Sequence, residues 1–169
     1  MDASGIPAPI DDELTMLMKE TIRKSREDGY VLNMNGIFNA AAIARFDRMD
    51  KKLERINKNL KQNSCNDEMF AFDFQNPRLR MLFSILPLIF AKSERKHTNS
   101  YSGKHTVEEL FQHGYISNGE FILVCMALGY KIKYEPYTPN CNIFATFVNT
   151  IPTSWSGANP PYGRYKFLC

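Results

Sequence analysis

An apolar stripe in the segment RFDRMDKKLERINKNLKQ, residues 45–62, constrains the fold of this chain more than any other feature. Its apolar residues follow one another at alternating steps of three and four, which is the heptad spacing of a helix with one apolar seam. This heptad seam consists of Ala42, Phe46, Met49, Leu53, Ile56 and Leu60. Because an isolated helix of this length is marginal in water, another segment must cover the seam.

Two kinds of partner can cover the heptad seam. Copies of the same chain can cover it as a coiled coil, in which leucine at position a with isoleucine at position d favours more than two strands. A predicted helix at 12–28 of the same chain, with Leu14, Leu17 and Ile22 on one face, can instead cover part of it as a helical hairpin. The pattern favours self-association, and the two arrangements can coexist in a bundle of hairpins.

Capping residues and breakers divide the N-terminal part of the chain. Glycine and proline within residues 1–10 predict a flexible arm. Asp11 is predicted to cap a first helix, which ends at Gly29. Asn35 is predicted to cap a second, longer helix that continues to Gln62. We therefore expect a helical oligomerisation region at 11–65.

Beyond residue 65 the pattern changes to short, mixed elements. Phenylalanine alternates with other residues over 70–74, which predicts a short strand. The apolar stretch 78–91 contains Pro87, which is expected to kink or restart any helix there, because proline lacks the amide proton and crowds the preceding turn. Residues 92–105 are polar and basic and are predicted to form a loop.

Two capping boxes and a strand pair follow this predicted loop. Thr106 with Glu109, and Ser117 with Glu120, each predict the start of a helix. The second of these helices is apolar nearly all round and should be buried. Residues 130–135 alternate between apolar and charged side chains, and with 142–148 they predict a β-hairpin. Residues 151–169 are expected to be an extended aromatic tail.

The predicted fold class is therefore α+β. A helical hairpin or short coiled-coil helix is followed, at 66–150, by a small mixed module with buried helices and a β-hairpin.

Length, composition and cysteine spacing indicate the setting of the protein. A chain of 169 residues, 44% hydrophobic and 23% charged, is typical of a folded protein rather than a disordered one. The opening MDASGIPAPIDDELT lacks the features of a secretory signal. The longest apolar run, 79–91, is shorter than the about 20 residues that cross a bilayer. Scattered cysteines favour a reducing compartment. We expect an intracellular, cytoplasmic protein without a membrane span.

The sequence contains no local motif for catalysis or metal binding. The histidines at 97, 105 and 113 are eight residues apart, whereas zinc ligands usually come in close pairs. Gly103-Lys104 lacks the other residues of a P-loop, and no serine or cysteine lies in a nucleophile elbow. We predict a protein that is not an enzyme and holds no metal or cofactor. An enzyme without a recognisable motif is the alternative.

Basic residues near tyrosine suggest a site for nucleic acid or another anion. Lysine and arginine interleaved with aromatic rings can hold a single strand by backbone attraction and base stacking. Lys104 is expected just before a helix N-terminus, where amide protons favour negative charge. The candidate residues are Arg95, Lys96, Tyr101, Lys104, Lys131 and Lys133. The net charge of +3 permits such binding without requiring it.

The leading functional hypothesis is a non-enzymatic structural or interaction protein that forms homo-oligomers through the heptad seam. Linking several weak binding modules raises their effective concentration, so a modest surface can bind a repetitive partner, such as another protein, well. The first alternative is a nucleic-acid-binding protein that uses the basic patches, and the second is an enzyme.

Overall fold

The computed structural model describes residues 12–39, 41, 71–111, 114–135 and 138–148. The predicted arm, the heptad seam, His113 and the aromatic tail lie outside the described residues.

The described residues form a mixed α+β fold, which confirms the predicted fold class. Small antiparallel sheets accompany the helices. The order of elements is α1 (Glu13–Glu27), β1 (Tyr30–Asn33), β2 (Gly36–Asn39), α2 (Pro77–Ile89), β3 (Phe90–Lys92), β4 (Thr98–Asn99), α3 (Ser100–Phe111), α4 (Asn118–Ala127), β5 (Ile132–Tyr134), β6 (Cys141–Ile143) and β7 (Ala145–Phe147).

Helix α1 forms close to the predicted place. Its cap is Asp12, one residue later than predicted, and the Asp12 side chain accepts a hydrogen bond from the Thr15 amide at 2.9 Å. Gly29 follows the helix with φ of 83°, a left-handed conformation that glycine adopts without strain. The helix packs on β1 and α4, with Met18 fully buried between them.

Residues 30–39 form a β-hairpin, so the prediction that Asn35 caps a long helix is wrong. Strands β1 and β2 pair antiparallel, with Asn33 opposite Gly36. The Asn33 side chain accepts a hydrogen bond from the Asn35 amide, which closes an Asx turn. Leu32, Asn33 and the first three residues of β2 are buried, and this burial favours the strands at 30–39.

Helix α2 begins at the Asn76–Pro77 junction, where Asn76 caps the Arg78 amide. The helix continues through Pro87 to Ile89, so the proline does not restart it. Proline removes one hydrogen bond close to the end of the helix, where few remain to be lost.

The predicted strand over 70–74 is wrong for the described residues 71–74. Asp73 instead forms an Asx turn with the Gln75 amide, and the rings of Phe72 and Phe74 rest half-buried against the core.

Helix α3 begins at Ser100, six residues before the predicted start at Thr106. The Asn99 side chain accepts a hydrogen bond from the Tyr101 amide at 3.0 Å. Thr106 lies inside the helix, and its hydroxyl donates to the Ser102 carbonyl. The predicted loop at 92–105 is therefore wrong beyond the short turn between β3 and β4. Gly103 lies inside this helix because the Phe121 ring of α4 leaves no room for a side chain. A Cβ at position 103 would lie 2.7 Å from that ring.

Helix α4 forms the centre of the core. Its capping box is as predicted, with Ser117 accepting from the Glu120 amide and Glu120 accepting from the Ser117 amide. Residues 118–125 are buried, and for 121–125 this burial is what their apolar character predicts. The helices α1, α2 and α3 and the β1–β2 hairpin all pack on α4. Gly129 ends this segment with φ of 76°.

Two further sheets complete the described part of the chain. Strands β5 and β6 form the predicted antiparallel hairpin, and β4 extends it on the other side of β6. The predicted continuous strand at 142–148 is interrupted at Phe144. Its amide donates to the Lys131 carbonyl, and its carbonyl accepts from the Ser93 amide. After this break, β7 pairs with β3 instead. None of the described helices is long and apolar enough to cross a membrane.

Candidate functional site

A cleft of about 280 Å³ opens between α3, the start of α4 and two turns. Helix α3 and the following loop contribute two tyrosines and a lysine, and the β1–β2 turn and the loop before β6 contribute most of the remaining polar groups. The cleft is lined by Met34, Asn35, Tyr101, Lys104, Tyr115, Asn118, Pro139 and Asn140.

Lys104 is the central charged group of this cleft. Its side chain is only 2% exposed, although it comes from a short polar segment. The Nζ atom lies 5.0 Å from the ring centroid of Tyr101 and 4.8 Å from that of Tyr115. Cation–π attraction of this kind is worth up to about 2 kcal/mol where water is excluded. Both tyrosines stay largely exposed, at 52% and 68%.

Glu108 pairs with Lys104 and fixes the loop that carries Tyr115. One carboxylate oxygen lies 3.4 Å from Lys104 Nζ and accepts the Ile116 amide at 2.6 Å. The other oxygen lies 2.6 Å from His105 Nδ1. The His105 ring also meets the Tyr101 ring edge to face. Glu108 therefore ties α3 to residues 115–116 and holds the two tyrosines on either side of the lysine.

Asn118 forms the opposite wall with an unused acceptor. Its Nδ2 atom donates to the carbonyls of Asn35 and Pro139 and to the Asn140 side chain, at 3.1–3.4 Å. Its Oδ1 atom is buried and has no hydrogen-bond partner among the described residues. A buried acceptor without a donor costs roughly 1–3 kcal/mol.

Close backbone contacts hold this wall in place. The Gly119 amide donates to the Met34 carbonyl at 3.0 Å, and the Ile37 amide donates to the Pro139 carbonyl at 3.0 Å. A Cβ on Gly119 would lie 1.7 Å from the Asn33 carbonyl oxygen. The β1–β2 turn therefore reaches the cleft because a glycine occupies the first turn of α4.

The structure brings two of the predicted anion-binding residues together and places the others elsewhere. Tyr101 and Lys104 both line the cleft. Lys104 lies inside α3, so the prediction that it precedes a helix N-terminus is wrong. Arg95 and Lys96 are exposed in the turn after Ser93, whose hydroxyl accepts from both of their amides.

Lys131 lies near the turn that carries Arg95 and Lys96, and Lys133 lies in β5. Lys131 Nζ is 3.4 Å from Glu94 and 5.3 Å from the centroid of the Phe144 ring, which His97 contacts from another direction. Lys133 is exposed two residues further along, where side chains of an extended segment share a face. Arg95, Lys96 and Lys131 form what we term the basic turn patch.

The tyrosines of the β5–β6 hairpin are unavailable for stacking with a ligand. Tyr130 is buried, and its hydroxyl donates to the Phe90 carbonyl at 2.6 Å. The Tyr134 ring stacks on Tyr30 with centroids 3.6 Å apart. Burial is the main cause that raises the pKa of each of these tyrosines to about 12. Among the tyrosines of the described residues, Tyr101 and Tyr115 are instead the exposed ones.

Sequence reasoning missed Tyr115, Glu108 and Asn118 as parts of the site. In the sequence, Asn118 belongs to the Ser117 capping box, and Tyr115 is an aromatic residue two positions before that box. The contact between Glu108 and the Ile116 amide forms because the chain turns back after α3. No local sequence pattern predicts this contact.

Two buried thiols lie in the core. Cys125 and Cys141 are free and buried. Burial raises the pKa of the Cys125 thiol well above its ordinary value, and it raises that of Cys141 to about 12. Since the thiolate is the reactive form, both are poor nucleophiles and metal ligands in the folded protein. Within the described ranges, no three His, Cys, Asp or Glu side chains group together as a metal site would require.

Comparison with known proteins gives no match to a family model, a curated protein or a solved structure.

Proposed function

We propose that this chain is a non-enzymatic interaction protein that self-associates through the heptad seam and displays several copies of the α+β module. Association of copies would let weak individual modules bind a repetitive partner through their combined effective concentration. A reducing, cytoplasmic setting fits the two buried free thiols.

The burial of the apolar face of α1 is the observation that supports this proposal. The competing helical hairpin requires the apolar face of α1 to cover the seam. That face is already in use, because Met18 is fully buried and Leu14 and Ile22 pack against the core. Leu17 is the member of the predicted face that stays exposed. With α1 committed to β1 and α4, a second copy of the chain is the partner that the seam favours.

Light scattering coupled to size exclusion tests the proposal on the full chain. The wild-type chain is expected to be an oligomer. The double variant Leu53→Lys, Ile56→Lys places two charges in the seam and is expected to be a folded monomer, since a buried unpaired charge is strongly unfavourable. Circular dichroism of the variant checks that the module is still folded.

A charge-matched variant serves as the control. Asp47→Asn with Glu54→Gln changes the net charge by the same amount, +2, at heptad positions that face away from the seam. It is expected to keep the oligomeric state of the wild type. A monomeric wild-type chain would contradict the proposal, and so would an oligomer that both variants leave unchanged.

Nucleic-acid binding is a second candidate function, favoured by the basic turn patch. Two stretches far apart in sequence meet there, and their cationic side chains are exposed. A surface of this kind attracts phosphates by releasing counterions, so its affinity must fall steeply with salt. Affinity for a single-stranded oligonucleotide measured across a salt series tests this candidate, and an affinity independent of salt would exclude it.

A further inference from the structure

We propose that the cleft between α3 and the start of α4 binds one nucleotide, with its base against the exposed tyrosines and its phosphate at Lys104. This inference deepens the nucleic-acid-binding candidate and is independent of self-association. It assigns the recognition of the base to the cleft, whereas the basic turn patch supplies attraction for the backbone.

The aromatic surface is the first reason. Tyr115 is the most exposed large hydrophobic side chain of the described part of the chain, and Tyr101 is more than half exposed. The ammonium of Lys104 lies over both rings and fixes them beside the cleft. Exposed rings held in place are suited to stacking with bases, which contributes to binding whatever the base.

The cation is the second reason. Among the described residues, Glu108 is the one hydrogen-bond acceptor of Lys104, at a long distance of 3.4 Å. An ammonium group carries more N–H donors than this contact uses. Glu108 also accepts from the Ile116 amide and contacts His105. The negative charge of its carboxylate therefore interacts with three groups and not with Lys104 alone. Lys104 is nearly buried, but it lines the cleft, so a phosphate oxygen that enters the cleft can become its second acceptor.

The opposite wall is the third reason. Asn118 lines this wall, and its buried Oδ1 has no hydrogen-bond partner among the described residues. The exocyclic amines and ring N–H groups of nucleobases are donors of the kind that this side chain can accept. The volume of about 280 Å³ is just below the range of about 300–1,000 Å³ for small-molecule sites, so the cleft has room for one nucleotide unit at most. An acidic peptide would use Lys104 but would offer no flat ring to the tyrosines.

Fluorescence anisotropy with labelled single-stranded RNA and DNA tests the proposal on the full chain. Tyr115→Ala is expected to weaken binding roughly five- to hundredfold, the range for loss of one stacking side chain. Tyr115→Phe keeps the ring and should keep most of the affinity. Leu88→Ala removes a similarly exposed side chain outside the cleft and should leave the affinity unchanged. Since Tyr115 is exposed, these variants are expected to fold.

Competition and crosslinking identify the ligand and the place where it binds. Unlabelled AMP and hexaglutamate are the two competitors. Displacement by AMP, but not by hexaglutamate, shows a site for a free nucleotide. Displacement only by unlabelled oligonucleotide shows a site within a strand, and either result supports the proposal. Ultraviolet crosslinking of an RNA that contains 4-thiouridine should label the peptide that carries Tyr115.

Three outcomes would overturn the proposal. Equal competition by hexaglutamate would show a site that reads charge alone. Loss of binding in Lys96→Ala with Lys131→Ala, with Tyr115→Ala silent, would place the strand on the basic turn patch and leave the nucleic-acid candidate standing. Absence of any binding to RNA, DNA or AMP would exclude both, while the light-scattering result would still decide self-association.

Discussion

At the scale of single residues, Asp12 connects the start of α1 to a distant helix. Its side chain caps the Thr15 amide and also pairs with the Arg80 guanidinium of α2. These hydrogen bonds, that of Arg80 foremost and that of the Thr15 amide next, lower the pKa of Asp12 from its ordinary 3.8 to about 2. The folded state therefore favours the charged carboxylate and binds fewer protons than the unfolded state near pH 3.

Acid should weaken the folded state through this group. A depressed folded pKa contributes stability that is present above the unfolded value of 3.8 and is lost as the pH falls towards about 2. The free energy of unfolding, measured in urea at a series of pH values, should therefore fall over this window. Asp12→Asn keeps a capping oxygen but loses the charge, so its stability should fall less.

A second carboxylate shares this pH window and must be separated from Asp12. Arg23 lowers the pKa of Glu20 to about 2 through hydrogen bonds on the exposed face of α1. The difference between the wild type and Asp12→Asn cancels the contribution of Glu20, because both chains retain it. Parallel pH profiles for the two chains would contradict the role given to Asp12.

At the scale of elements, the contact between the β1–β2 turn and α4 depends on one glycine. Gly119 lies in the first turn of α4, where alanine would ordinarily favour a helix by about 1 kcal/mol. The Asn33 carbonyl oxygen approaches so closely that an alanine Cβ would lie 1.7 Å from it. That neighbour is backbone, so a change of rotamer cannot relieve the overlap.

We therefore expect Gly119→Ala to destabilise the protein by about 2 kcal/mol or more, opposite in sign to its helix propensity. The same change should weaken nucleotide binding at the cleft, because the turn carries Asn35. Ser84→Ala on the exposed face of α2 is the control and should change stability by no more than about 0.5 kcal/mol. Urea denaturation of the wild type and the two variants measures stability, and fluorescence anisotropy measures nucleotide binding. A stabilised Gly119→Ala chain would refute this contact.

The elements that sequence could predict are those whose information is local. The Ser117 capping box, the apolar helix after it and the left-handed Gly129 fix α4 within about a dozen residues. The start of α3 was not predicted because residues 92–105 are polar and basic, which is typical of a loop. In the structure, Gly103 lets α3 approach the Phe121 ring. The β1–β2 hairpin was not predicted either, since its strands are held by burial on α4.

The candidate site was predictable only in part for the same reason. Tyr101 and Lys104 could be selected because tyrosine near lysine is a local pattern. The ring of Tyr115 and the carboxylate of Glu108 reach Lys104 only after the chain has turned back behind α3. Sequence therefore indicated the chemistry of the cleft, while tertiary packing decided which residues share it.

At the scale of the whole molecule, both sides of the heptad segment contribute to one core. Met18, Leu32 and Ile37 precede that segment, and they are buried in the same cluster as the apolar residues of α2 and α4. Full burial of such a side chain contributes about 1.5–3 kcal/mol, so the three together contribute roughly 5–9 kcal/mol. This is comparable to the entire net stability of an ordinary domain.

A fragment that spans residues 66–150 should therefore fail to fold cooperatively. It retains α2, α3 and α4 but loses the three side chains that cover α4 from the N-terminal side. We expect a broad urea transition and weak near-ultraviolet circular dichroism from this fragment. A chain of residues 12–148 keeps every described element and should unfold in a single sharp transition. If the 66–150 fragment instead unfolds as sharply as that longer chain, the core is stable without α1 and the β1–β2 hairpin, and the role given to them here is wrong.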